Sequence, residues 1–341
     1  MSTPFDEFSG LSLADARTLA ESAEGLLERA LERARALTGD GKQIDEHQVT
    51  TERVAYAATE GRAARALLEQ VAGIAAEDRS DRGLELLAVA GVADLVARLR
   101  ARIDEAQGEL GLGEADLDAA FPASLRAALR RCGSEALLRA LGAHQIERRG
   151  RNDLPLDETL EQIRESVREF GEEEVAPHAE HIHRRDDLVP EAFIRKMGEL
   201  GYFGLSVPEA YGGHEMGNLA MILTTEELSR ASLAAAGSLI TRPEILTKAL
   251  LQGGTDEQKR HWLPRIASGE IMVGISVTEP DVGSDVAAVK CRAERATVGG
   301  KTGFVVNGPK SWCTFAGRAN VLALLARTDP DPRSGARGLS L

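Results

Sequence analysis

Aromatic side chains are scarce in this sequence: Phe, Trp and Tyr together make up 4% of its 341 residues. A chain so poor in rings and so rich in alanine does not suit an aromatic-rich β-sandwich; it favours helices packed through small side chains. Cysteine is scarcer still. Cys132, Cys291 and Cys313 are odd in number and far apart, which provides neither a disulfide framework nor a zinc ribbon and suits a reducing compartment. No long Lys/Arg run offsets the net charge of −13, from 41 basic and 54 acidic residues. Nucleic acid and anionic membranes are therefore not expected as partners, because phosphate binding needs clustered positive charge. No apolar run approaches the ~18 residues of a membrane span. The acidic opening MSTPFDEFSG lacks the apolar core of a secretory signal. The expectation is a soluble, cytoplasmic chain.

What is present is mostly helical periodicity. Apolar residues are 43% of the chain, and its length allows two or three domains. Leu19, Ala23, Leu26, Ala30 and Leu37 recur at helical spacing over 11–37, and TGDGKQ stops that helix. A second helix is expected over 44–77 with Val49, Val54, Ala57, Ala58, Ala64, Leu67, Leu68 and Val71 as its buried stripe. A third follows over 84–107 and a shorter one over about 122–143. Residues 1–146 thus read as a helical N-terminal extension, and the polar ERRGRNDLP, 147–155, as a linker. Beyond it, Leu156, Leu160, Ile163, Val167 and Phe170 mark another helix, with Pro177 expected to end it or its next turn. Pro190 opens the next helix and Gly201 closes it; Thr255, with Gln258 three residues on, opens a short capped helix.

At Ile271 the period changes. IMVGISVTE, VAAVKCRAERAT, GFVVNGPKSWCT and NVLALLART are short β-branched runs bounded by Gly, Asn, Asp and Pro, which is strand patterning. Asn307-Gly308 reads as a hairpin turn. The last residues, GARGLSL, begin a further strand, so the expectation is the front part of a longer protein. The stretch SVTEPDVGSD, 276–285, is the chemical puzzle. Glu279 and Asp285 could serve as an acid/base pair, but the adjacent proline and glycine make turn-anchoring the more natural role. His178, His181 and His183 look like a metal cluster. On a helix, however, His183 points away from the other two, and no carboxylate or cysteine completes a ligand set, so a solvated helix end is preferred.

Four motifs in series, GYFGLSVPEAYGG, GGTDEQKRHWLPRIASGE, SVTEPDVGSD and NGPKSWCT, resemble the acyl-CoA dehydrogenases, flavoproteins that desaturate CoA thioesters. The resemblance covers about 156 to the end and implies an α+β fold. An all-α domain over 156–270 would precede an incomplete β-barrel middle domain over 271–341, with the family's C-terminal helical bundle absent. It implies FAD as cofactor, an acyl-CoA substrate and an electron-transfer flavoprotein as acceptor. Val277 and Thr278 resemble the positions that meet the flavin ring edge. Gly283 and Ser284 resemble those beside the cofactor phosphates and CoA. Trp312 and Thr314 match the family's Trp-x-Thr, with the indole on one flavin face and the hydroxyl toward N5. The family's catalytic base is a carboxylate of the C-terminal domain, so no catalytic residue of this chain is named, and a non-catalytic CoA- or FAD-binding fragment is the competing expectation.

Arg242 lies in the helical segment that covers the acyl chain in that family. An aliphatic pocket has no use for a buried unpaired guanidinium, whereas a second carboxylate on the substrate would give it a bidentate partner. The plain alternative is an exposed residue at a helix start or a salt-bridge partner. The extension, EEEVAPHAEHIHRRDDLVP and TRPEI together resemble members acting on a branched C4-dicarboxylic thioester. HQVTTERVAYAATEGRAARALLEQV, 47–71, resembles the first long helix of the family's C-terminal bundle. The extension then reads as a degenerate copy of that bundle, which implies a homodimer.

Overall fold

The computed structural model describes residues 5–149 and 154–341, and the middle of the expected linker, 150–153, lies outside them. The chain divides into two compact units, Met1–Pro155 and Leu156–Leu341. No helix among the described residues is long and apolar enough to cross a membrane.

The first unit is helical. α1 (Leu13–Leu37), α2 (Gln48–Ala76) and α3 (Arg82–Glu105) pack on one another, and α4 (Glu114–Ala120), α5 (Ala123–Cys132) and α6 (Glu135–Glu147) close the bundle. Local chemistry sets the starts. Ser12 and Asp15 form a reciprocal capping box at α1, and the Asp81 and Ser134 side chains accept the Leu84 and Leu137 amides at α3 and α6. Small residues bring the helices close. A Cβ at Gly61 would meet Leu27 Cδ2 at 3.1 Å and Leu99 Cδ1 at 3.2 Å, so this α2 glycine sits where α1 and α3 both press in. The expected single helix over 122–143 is in fact two, because Gly133 and Ser134 interrupt it, and α4 precedes them. Val49, expected in the buried stripe of α2, is 64% exposed, whereas Val54, Ala57, Ala64, Leu68 and Val71 are buried. Val49 sits in the first turn of α2, which begins at Gln48 behind a 3₁₀ turn at Ile44–His47 rather than at 44.

The second unit begins with α7 (Glu158–Phe170), capped by Asp157. Pro177 does not end the helical run. A π turn over Gly171–Val175 leads directly into α8 (Ala176–Arg185), and Pro177 occupies its first turn, where a missing N–H costs least. α9 (Glu191–Glu199), α10 (Gly217–Ser232), a second π turn (Leu233–Gly237), α11 (Ser238–Gly253) and α12 (Asp256–Ala267) follow. Thr255 and Gln258 form the expected capping box of α12. The Arg168 guanidinium pairs with Glu227 between α7 and α10, both nearly buried. His178 packs against Phe193, and His181 approaches Asp187 at 3.4 Å.

Strands start where the period changes. β1 (Val273–Ser276) pairs in parallel with β4 (Val321–Leu324), Val273 opposite Val321. A second sheet has the order β3-β2-β5-β6, from β2 (Arg292–Val298), β3 (Lys301–Asn307), β5 (Ala326–Arg327) and β6 (Leu339–Ser340). The hairpin turn is not at Asn307-Gly308. Gly299 and Gly300, both at positive φ, join β2 to β3 and supply the left-handed conformation a two-residue turn needs. Gly308, at φ 147°, instead lets the chain leave β3 against β2: a Cβ there would lie 2.6 Å from Cys291 Cα.

Candidate functional site

β1 delivers the stretch 276–285 at its C-terminal end. Ser276 is buried at the strand end, Val277 and Thr278 are half-buried, and the chain then turns back on itself through a Glu279–Val282 bridge. The fold decides the role of Glu279. Only 4% exposed, its carboxylate accepts from the Lys290 and Cys291 amides at 2.8 Å each and from Lys310 Nζ at 3.0 Å. Burial pushes this carboxyl up, yet the two amides and the Lys310 ammonium outweigh burial and leave it below its ordinary value. Glu279 is therefore a loop anchor, as expected. Asp285 is different. Its side chain is exposed, and no hydrogen bond or ion pair holds it among the described residues, so the loop-holding expected of it is not seen.

The loop after β3 comes back to the same place. Lys310 Nζ donates to the Val277 carbonyl at 2.9 Å, and the Ser311 amide donates to the Thr278 carbonyl at 2.9 Å. These bonds hold Lys310 and Ser311 against Val277 and Thr278, and Trp312 and Thr314 follow directly in the chain. Trp312 is 88% exposed and sits at φ 58°, a left-handed conformation that is uncommon for so bulky a residue. The Thr314 amide donates to the Trp312 carbonyl at 2.9 Å. Gly283 and Ser284 are exposed on the turn, and a Cβ at Gly283 would meet nothing within 4 Å.

Arg242 lies inside α11 rather than at its start, next to Pro243. It is half-buried, its Nη1 donates to the Ser238 carbonyl of its own helix, and no carboxylate pairs with it among the described residues. Burial lowers its pKa from the ordinary arginine value, opposed by the neighbouring Cys313. Cys313, which opposes that burial, lies in the chain between Trp312 and Thr314. The plain alternative, an exposed residue at the helix start or a salt-bridge partner, does not describe it.

Sequence reasoning passed over Lys310. The signal was a single lysine between Pro309 and Ser311 at the end of a β-branched run, where a charge must find a partner if the run is buried. The site thus offers an exposed indole, a threonine hydroxyl on each loop and open space over Gly283. Beneath it, Glu279 and Lys310 pair with each other, while the Asp285 carboxylate stands exposed beside Ser284. The indole and the neutral hydroxyl donors fit a planar ring whose charge grows on reduction.

Comparison with known proteins agrees with the motifs. Residues 157–270 match the acyl-CoA dehydrogenase N-terminal domain and 274–341 the acyl-CoA dehydrogenase middle domain. The chain belongs to the acyl-CoA dehydrogenase family, whose cofactor is FAD. It is 35% identical to (2S)-methylsuccinyl-CoA dehydrogenase of Cereibacter sphaeroides, over 96% of this chain and 62% of that protein. It is 39% identical to mitochondrial 2-methylacyl-CoA dehydrogenase of Solanum tuberosum, over 55% of this chain and 44% of that protein. A solved glutaryl-coenzyme A dehydrogenase–glutaryl-CoA complex superposes with a TM-score of 0.48 at 34% identity, covering 55% of this chain and 47% of that one. The chain spans about half to three-fifths of the length of these relatives.

Proposed function

We propose that the protein carrying this chain is an FAD-dependent dehydrogenase that desaturates (2S)-methylsuccinyl-CoA to mesaconyl-CoA, the step it would occupy in the ethylmalonyl-CoA pathway. The observation that carries the substrate is Arg242, a half-buried guanidinium with no carboxylate partner among the described residues, near enough to Cys313, between Trp312 and Thr314, for that thiol to oppose its burial. A dicarboxylic thioester supplies the missing anion. The sequence match that runs through both units supports the same reading, whereas the 2-methylacyl relative matches only a stretch about as long as the second unit.

When bound, FAD supplies the acceptor for a hydride. Val277 and Thr278 would hold its ring edge with neutral groups, and Thr314 would donate a hydroxyl from the other loop. Trp312 would cover a ring face and exclude water. Gly283 and Ser284 leave room for, and a hydroxyl toward, the cofactor phosphates and CoA. Arg242 would orient the distal carboxylate, so that the thioester end of the substrate faces the ring. The base that takes the α-proton is a carboxylate of the family's C-terminal domain, and reduced cofactor would pass its electrons to an electron-transfer flavoprotein in the cytoplasm.

The test is anaerobic reduction of the flavin in the protein that carries this chain. Methylsuccinyl-CoA should bleach it, and Arg242→Met should raise KM about 100-fold or more, the worth of a charge-assisted bond of about 3 kcal/mol. Bleaching by butyryl-CoA in preference would remove the role of Arg242 and favour another member acting on short branched thioesters. We further infer a homodimer, on the resemblance of 47–71 to a C-terminal-bundle helix. Light scattering that returns a tetramer would sink this assembly.

A further inference from the structure

We propose that Lys310 is a positioning residue, which sets the aim of the Thr278 N–H by holding the two loops of the candidate site in register. The proposal rests on the flavin reading above.

A peptide unit is planar and trans, so its C=O and N–H point in opposite directions. The Val277 carbonyl and the Thr278 amide belong to one such unit. Lys310 Nζ holds that carbonyl at 2.9 Å, which turns the Thr278 N–H away from the ammonium. The next unit is held by the Ser311 amide on the Thr278 carbonyl at 2.9 Å, and the Glu279 amide reaches Val282 O at 2.9 Å. Two successive peptide planes are thus fixed from the same short loop. Among the described residues, no acceptor takes the Thr278 N–H. An unused donor on a backbone this tightly held is preorganised for a ligand rather than consumed by the fold.

The lysine itself is held in place. Its side chain is 10% exposed, and Glu279, at 4%, sits 3.0 Å from Nζ. Glu279 is in turn fixed by the Lys290 and Cys291 amides at 2.8 Å. Each partner therefore has a separable job: Glu279 compensates the buried ammonium, and the ammonium orients the Val277 peptide. An ion pair serving stability alone could be replaced by neutral groups without consequence for the site; an orienting lysine could not.

The separation dictates the experiment, done on the protein that carries this chain with FAD titration, thermal melting and amide hydrogen exchange. Glu279→Gln leaves Lys310 on Val277 O. It should lower the melting temperature the most of the series yet weaken FAD less than the double variant does, with the Ser311 amide still protected, because the orienting hydrogen bond is kept. The double variant Glu279→Gln with Lys310→Met removes both charges and should melt closer to the parent. It should nevertheless weaken FAD about tenfold or more, the worth of one misaimed hydrogen bond, and lose protection at Ser311. Lys310→Arg, which keeps a donor, should recover part of the affinity. If the double variant binds FAD like the parent, or if affinity simply follows melting temperature across the series, Lys310 has no positioning role. If the parent itself takes up no FAD, the flavin reading fails. The exchange result then decides the clamp alone, and an unchanged Ser311 amide in the double variant overturns it.

Discussion

Glu279 carries a pH dependence that follows from its surroundings. Burial raises its pKa, but the Lys290 and Cys291 amides and Lys310 bring the folded value below that of a free carboxyl. A depressed carboxylate stabilises the fold fully above the unfolded value of about 4.3 and loses that contribution as pH falls through the folded value. Glu279→Gln leaves a buried ammonium short of its counter-charge and should cost about 3 kcal/mol at neutral pH, the lower end for breaking a buried pair, since the amide still accepts hydrogen bonds. Measured by urea unfolding, the gap between parent and variant should hold above pH ~5 and narrow steadily below pH ~4. A gap unchanged down to the acid transition would show that the carboxylate charge is not what the loop uses. Glu279 was legible as a turn anchor because proline and a glycine-rich loop follow it in sequence. Lys310 was not, because its partners lie 31 and 33 residues away, and no local pattern encodes that return.

Helix and strand types were legible because they depend on short-range periodicity, and their ends were legible where a cap supplies the chemistry. Thr255 with Gln258 is written in the sequence and found in the structure. Errors fell where two local signals competed. Pro177 reads as a stop, yet the π turn over Gly171–Val175 shifts the register ahead of it and places it in a first turn. Asn307-Gly308 and Gly299-Gly300 are both hairpin candidates, and the strand pattern alone does not choose between them. The choice is made by β2, which needs all seven residues Arg292–Val298 opposite Lys301–Asn307 to complete its ladder. The interior position of Arg242 has a similar cause. Pro243 suggests a helix start just ahead of it, but α11 already begins at Ser238 and carries the proline inside.

At the scale of the molecule, the scarcity of aromatics becomes an experimental tool. The chain has two tryptophans, Trp262 and Trp312, both in the second unit, so tryptophan emission reports on that unit alone. The first unit has a core of its own, running from Phe5 and Leu11 through Leu19, Leu26, Val89, Leu99 and Phe121 to Leu141. α1, α3 and α6 each have a side-chain cap within the unit, and its ion pairs Arg102–Glu60 and Arg148–Asp81 close within it too. A domain of about 150 residues buries enough surface to fold unaided, roughly 70% of what its unfolded chain exposes. Residues 1–149 expressed alone should therefore be helical and lose that helicity in one cooperative thermal step. The same step should appear in the circular dichroism of the whole chain with no change in tryptophan emission. A broad, non-cooperative melt of the isolated segment would mean that the bundle depends on the rest of the chain for its order. It would then be a covering element for other surfaces rather than a domain, despite its own core and the side-chain caps of α1, α3 and α6.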